Sequence, residues 1–184
     1  SEYRIIVVDN GSTDGSRQLV EEAFPQVSLI ALAENTGFCH AVNVGICEAG
    51  SPYVILLNND TKVHPHFVGA LCDALDARPE AFAVSARMRM WDRPDRMDDA
   101  GDRYCALGWA YARGKGQPAA RYDAPGEVFS ACGGAAIYRK SILSRIGLFD
   151  EAHFAYLEDL DIGWRARTQG WRSYYEPRAE VVHY

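Results

Sequence analysis

Five apolar residues that run straight into three polar ones, Tyr53-Val-Ile-Leu-Leu-Asn-Asn-Asp60, constrain this chain more than any other segment. A strand covered on both faces is continuously apolar rather than alternating, so the run reads as buried parallel strand. Its polar end then falls where open α/β sheets bind ligands, beyond the carboxyl ends of their strands. Arg4-Ile-Ile-Val-Val-Asp9-Asn10-Gly-Ser-Thr-Asp14 repeats the grammar. Two strands that end this way point to one shared cleft.

The first half alternates strand and helix signals. Strands are predicted at Tyr3–Asp9, Ser28–Leu32, Tyr53–Leu57 and Phe82–Met88, with helices at Ser16–Ala23, Cys39–Ala49 and Pro65–Ala77. Such alternation predicts βαβ units and a mostly parallel sheet, expected here as two layers around one sheet. Thr13-Asp14-Gly15-Ser16 offers capping side chains to the first helix. From Trp91 to Gly126 the pattern fails, and a long irregular stretch inside a compact domain is usually functional or mobile. Regularity returns with Val128–Tyr138, helices at Lys140–Ile146 and Leu157–Gln169, and strands near Trp171–Tyr175 and Glu180–His183. At 184 residues and 48% hydrophobic, the chain can bury one core, so a single domain over 1–184 is expected.

A formal net charge of −6 argues against a nucleic-acid surface. The arginines between Arg87 and Arg103 are interleaved with acids and read as a solvated loop. Five scattered cysteines show no CxxC spacing, which indicates neither a zinc site nor a disulfide framework and suits a reduced, cytoplasmic protein. No apolar run approaches membrane-span length, and the opening residues do not read as a signal peptide.

Several segments carry candidate chemistry. Asp9-Asn10 before Gly-Ser-Thr-Asp is either a turn or a ligand-facing strand end. In Asn35-Thr-Gly37 through Asn43-Val-Gly45, glycines allow close backbone approach and a following helix N-terminus favours phosphate, although a packing loop reads equally well. The absence of GxGxxG or a Walker lysine removes the dinucleotide and P-loop readings. In Phe154-Ala-Tyr-Leu-Glu158-Asp159-Leu-Asp161, acids follow an apolar wall. Asp161 with Arg165 is explained by an i,i+4 ion pair, while a carboxylate against apolar walls suits a general base. His183 near a strand end is structural unless it joins Asp60, when the two form a divalent-metal candidate.

Taken in order, Val7-Val8-Asp9-Asn10-Gly-Ser-Thr-Asp14, Asn35-Thr-Gly37-Phe38, Asn58-Asn59-Asp60 and Gly133-Gly134 through Glu158-Asp159-Leu-Asp161 resemble the inverting glycosyltransferases of family 2, and within them the rhamnosyltransferase-like branch. The resemblance implies a GT-A (Rossmann-like) α/β fold, a central sheet flanked by helices, and a further strand ahead of Ser1. It implies a nucleotide-sugar-binding half (1–61) and an acceptor-binding and catalytic half (62–184). Asp9, Asn35, Gly37, Asn43 and Asn59 would then shape the site for a dTDP- or UDP-sugar. Asp60 and His183 would hold Mg²⁺ or Mn²⁺. Gly133, Gly134 and Trp164 would line the sugar and acceptor site, and Asp159, with Glu158 beside it, would be the catalytic base.

Asn58 departs from the common motif by replacing its first aspartate, so metal affinity would lean on the bound diphosphate. The implied acceptor is a glycan or lipid-linked molecule of cell-surface polysaccharide synthesis, which suits peripheral association with the inner membrane face. Two other readings stay open: a sugar-nucleotide nucleotidyltransferase, and a non-catalytic nucleotide- or sugar-binding module.

Overall fold

The computed structural model describes residues 3–184. Its first unit is a parallel pair, β1 (Ile6–Asp9) and β2 (Ser28–Ala31), joined through helix α1 (Ser16–Ala23). The expected side-chain cap of α1 is relocated. Gly15 occupies the cap position in the left-handed region, and Asp14, one residue earlier, accepts from the Ser16 N–H and hydroxyl. Helix α2 (Phe38–Glu48) packs on β1 so closely that a Cβ on Gly45 would lie 3.3 Å from Val8 Cγ2. The strand expected ahead of Ser1 lies outside the described residues.

The main sheet follows the order β3 (Tyr53–Leu57), β10 (Ala135–Arg139), β5 (Ala81–Met90), β11 (Arg172–His183) and β4 (Thr61–Val63). The expected mostly parallel sheet proves mixed. β3, β5 and β11 share one direction, but β10 runs the other way between β3 and β5, and β4 runs antiparallel to β11. The alternation of elements predicts the shared direction of β3 and β5 correctly and cannot reveal a later strand inserted between them.

The sheet is covered on both faces, so two helical layers flank it as expected. Along β10 the even residues Ala136 and Tyr138 join one core with Ile46 of α2, Ile142 and Leu143 of α4 (Lys140–Ile146), and Ile162 and Ala166 of α5 (Glu158–Thr168). The odd residues Ala135 and Ile137 face α3 (Phe67–Asp76). On α3, Phe67, Ala70, Leu71, Ala74 and Leu75 are buried, the i, i+3, i+4, i+7, i+8 stripe of an amphipathic helix. Burying each of its large members stabilises the fold by about 1.5–3 kcal/mol.

The stretch from Trp91 to Gly126 is ordered where irregularity is expected. It forms β6 (Met97–Asp99), the hairpin β7 (Asp102–Tyr104) with β8 (Ala110–Ala112), a 3-10 turn (Ala119–Tyr122) and the start of β9 (Gly126–Val128). Three-residue strands are too short to display an alternation. Met97, Ala100, Ala119, Val128 and Tyr175 close a small core beneath them.

Two further corrections concern breaks. The run Val128–Tyr138 is two strands, parted by the loop that holds Gly133 and Gly134. Conversely, the two expected C-terminal strands are one, β11, whose register slips between Glu176 and Glu180 around Pro177. Proline has no N–H for the ladder, so it interrupts the sequence signal without ending the strand.

Candidate active site

The polar strand ends and the loops around them form one site with three parts. In the first, Asp9 ends β1 almost buried, and its Oδ2 accepts from the Ser12 N–H (3.2 Å) and Arg17 Nε (3.0 Å). The Ser12 hydrogen bond, then Arg17, hold this carboxyl below its ordinary range despite burial. Asn10 ties the strand to the next loop. Its oxygen accepts from the Thr36 N–H (2.9 Å) and its amide donates to Asn35 Oδ1 (3.1 Å) and the Gly37 carbonyl (3.0 Å).

Asn35 turns that loop by accepting from the Gly37 N–H at 3.0 Å. Gly37 sits at φ +85°, and a Cβ there would lie 2.7 Å from the Phe154 carbonyl oxygen, a contact only glycine permits. Asn43 stands apart from its expected companions. Its amide donates to the Phe149 carbonyl (2.8 Å) and Glu151 (3.0 Å) and its oxygen accepts from the Phe149 N–H (3.1 Å), so it shapes the site from behind.

The second part lies where β3 ends. Asn58 donates its N–H to the Gly134 carbonyl (2.9 Å), Asn59 follows in the turn, and Asp60 leads into β4. β4 pairs with β11 so that His183 lies opposite Thr61, which brings His183 Nε2 to 3.3 Å from Asp60 Oδ1. On its other side, His183 Nδ1 is 2.7 Å from Asp98 Oδ2, and Lys115 donates to the same carboxylate at 2.7 Å. Burial raises the Asp98 carboxyl, but Lys115 and His183 outweigh it and hold the group ionised.

A carboxylate and an imidazole nitrogen suit Mg²⁺ or Mn²⁺. Orienting a ligand histidine through its other ring nitrogen is a recurrent device at metal sites. No third His, Cys, Asp or Glu completes a cluster among the described residues. The residues therefore fit a cation that takes its remaining ligands from a diphosphate or water.

The third part is the start of α5. Tyr156 (φ 73°) and Leu157 (φ 68°) are left-handed non-glycine residues, each costing about 1–3 kcal/mol, and they turn the chain sharply into Glu158 and Asp159. Asp159 accepts from the Leu160 N–H (2.8 Å) and Gly133 N–H (3.4 Å); burial raises its carboxyl above the ordinary range, although these donors oppose the shift. Glu158 is buried with one oxygen lacking a hydrogen-bond partner, and burial raises it too. Asp161 pairs with Arg165 at 2.7 Å, and the same guanidinium donates to the Ile146, Gly147 and Leu148 carbonyls, which ties α5 to the end of α4. That ion pair has a structural explanation, as its spacing predicts.

Gly133 and Gly134 bring the second and third parts together, since one binds Asp159 and the other Asn58. A Cβ on Gly134 would crowd the Asn58 amide and Met88 at 3.3 Å. Trp164, half exposed, meets Tyr104 edge-on (5.2 Å) and Phe129 (5.8 Å), forming an aromatic surface beside the base candidate. Sequence reasoning misses Asn10, Asp98, Asp99, Asp102 and Lys115. The last four lie in the stretch expected to be irregular, where the only signal is the density of aspartate in Asp98-Asp99-Ala-Gly-Asp102.

A family model described as "Glycosyl transferase family 2" matches residues 1–147. An N-acetylglucosaminyl-diphospho-decaprenol L-rhamnosyltransferase of Mycobacterium tuberculosis is 33% identical across 98% of this chain. The chain spans 66% of that relative's length. GalNAc-T7, solved with UDP, GalNAc and Mn²⁺, superposes with a TM-score of 0.80 at 13% identity, over 98% of this chain and 37% of that one. The mannosyltransferase PcManGT of Pyrobaculum calidifontis, solved with GDP-Man and Mn²⁺, gives 0.68 at 20% identity, over 98% and 47%. At such identities the two solved structures speak for the shared GT-A fold.

Proposed function

This chain belongs to glycosyl transferase family 2, and from that premise we propose that it transfers a sugar from a nucleoside-diphosphate donor to a glycan or lipid-linked acceptor, with inversion at the anomeric carbon. The observation that carries this reading is the Gly133-Gly134 dipeptide. Through it a half-buried, raised carboxylate (Asp159) and a metal-ligand pair (Asp60, His183) border one site.

Inversion needs the acceptor hydroxyl to attack from the face opposite the leaving diphosphate. Asp159 takes the hydroxyl proton as the new carbon–oxygen bond forms, and its raised basicity suits it to do so near neutral pH. Asp60 and His183 would hold the divalent cation, which when bound offsets negative charge growing on the leaving diphosphate. Asp98 and Lys115 orient His183 for that role.

In this reading residues 1–61 hold the nucleotide sugar. Asp9 faces the base from the end of β1, Asn35 and Gly37 form a wall, and Asn43 braces that wall from outside. Asn59 adds a polar contact beside Asp60. Residues 62–184 supply the acceptor side, where Gly133, Gly134 and Trp164 meet the sugars, while His183 crosses over to the metal. The name of the mycobacterial relative favours a polyprenyl-diphosphate-linked acceptor, and the donor we propose is a dTDP- or UDP-sugar. No helix of the described residues is long and apolar enough to cross a membrane. We place the reaction at the cytoplasmic face, where the acceptor carries a lipid.

Calorimetric titration with UDP, dTDP and GDP, each with and without Mn²⁺, tests the donor site. Metal-dependent binding of one nucleotide is expected, and binding that ignores the cation would remove Asp60 and His183 from their role.

A further inference from the structure

The chemistry above leaves unused a buried carboxyl that the fold places against Asp159. Asp102 on β7 is held twice at Ser130. Its N–H donates to the Ser130 carbonyl (3.0 Å), and Ser130 Oγ donates to its Oδ2 (3.2 Å), while the Asp102 carbonyl accepts from the Phe129 N–H (2.9 Å). Ser130 is in turn pressed against α5, where a Cβ on Gly163 would lie 2.4 Å from Ser130 Cβ. Because α5 carries Asp159 one turn earlier, this stack sets the Asp102 carboxyl within hydrogen-bonding reach of the Asp159 carboxyl.

Two carboxylates in such contact do not both ionise, and one proton shared between them resolves the conflict. The surroundings decide which keeps it. Asp159 accepts two backbone N–H groups and sits in the first turn of a helix, where the dipole favours negative charge. Asp102 accepts only a serine hydroxyl, besides lying deeper.

We propose that Asp102 is the positioning residue of the base: a carboxylic acid that keeps its proton and donates it in a hydrogen bond to Asp159, leaving Asp159 with the pair's one negative charge. The pairing stands on the geometry; calling Asp159 the base rests on the function proposed above. During transfer the acceptor's proton passes to Asp159, the O–H electron pair forms the new bond to the anomeric carbon, and the bond to the diphosphate breaks with its electrons. Asp102 retains its own proton throughout.

The protonation states agree. Burial, reinforced by the charges of Asp159 and Asp99, pushes Asp102 up to about 9. The other titratable groups around the pair are Asp99 on β6, pushed up to about 7 by burial, Cys132 before β10 and Tyr138 on β10, both raised by burial, and Glu158 on α5. Lys115 acts on Asp99 from the far side.

Infrared spectra of the full chain with side-chain ¹³C-labelled aspartate read the proton directly. At about pH 8 the wild type is expected to show a protonated-carboxyl band that Asp102→Asn lacks and Asp99→Asn keeps. A wild type without the band, or a band that survives Asp102→Asn, overturns the proposal. Should Asp102→Asn fail to fold, Asp159→Asn decides, because removing the neighbouring charge must move the band's titration to lower pH, and an unmoved titration overturns the pairing. Neither readout requires transfer, so a chain inactive as a transferase leaves this proposal standing, and failure here leaves the transferase reading standing.

Discussion

The two walls of the site treat polar groups in opposite ways. Around β1, every side chain named is matched to a partner: Asp9 to Ser12 and Arg17, Asn10 to Asn35, Thr36 and Gly37, Asn43 to Phe149 and Glu151. Around the start of α5, Asp99, Asp102 and Glu158 are buried and Asp159 half-buried near one another, all four with burial as the chief cause of a raised carboxyl. The first arrangement fixes a shape, since satisfied hydrogen bonds lock loops in place. The second holds charge where it is uncomfortable, which is the condition for moving a proton near neutral pH. In the proposed reading, recognition and reaction are thus separated by the state of their polar groups.

The sharpest way to break the comparison is Asp159→Asn. It is expected to lower transfer by about 10²–10⁴-fold, the contribution typical of a general base, while nucleotide affinity measured by calorimetry stays close to wild type. Equal loss in Glu158→Gln with Asp159→Asn still active would move the role to Glu158.

Asp60→Ala should act between the two walls, where β3 ends. A drop of about 10–100-fold in Mn²⁺-dependent nucleotide affinity is expected, and unchanged affinity would remove Asp60 from the ligand set. Asn10→Ala probes the matched side, because it leaves the Thr36 and Gly37 groups without their partner. It should cost about 1–3 kcal/mol in chemical denaturation, whereas a value near zero would show that the loop holds itself.

A further test concerns pH. Asp102 has a folded-state pKa above its unfolded value of 3.8, so its contribution to stability is full below that value and declines as pH rises toward about 9. Asp102→Asn cannot ionise and should therefore gain on the wild type between about pH 5 and 9. Parallel melting curves across that range would contradict the raised carboxyl.

The matched wall was also the legible one. Tyr53–Leu57, Ser16–Ala23 and Lys140–Ile146 appear in the fold with the bounds their patterns predict, because strong local periodicity and burial agree there. The strand ends at Asp9 and Asp60 were visible because an abrupt change from apolar to polar survives in one dimension. Asp102 was not, because its meaning depends on a partner 57 positions away and on a hairpin of three-residue strands whose charges look solvated. Nor could spacing distinguish Asn35, which turns the pocket loop, from Asn43, which braces it. Only the hydrogen-bond partners separate them.

The contact between Gly37 and Phe154 bears on how such a chain can be altered. The Phe38 N–H donates to the Phe154 carbonyl at 2.7 Å, so the loop of Asn35 and Gly37 and the approach to Asp159 are bolted together at a point with no room for a side chain. In the proposed reading, a graft meant to change donor choice must therefore carry two sequence-distant pieces, residues 35–38 and 154–158, as one cassette. Moving either alone would leave a new specificity mounted on a misaligned catalyst.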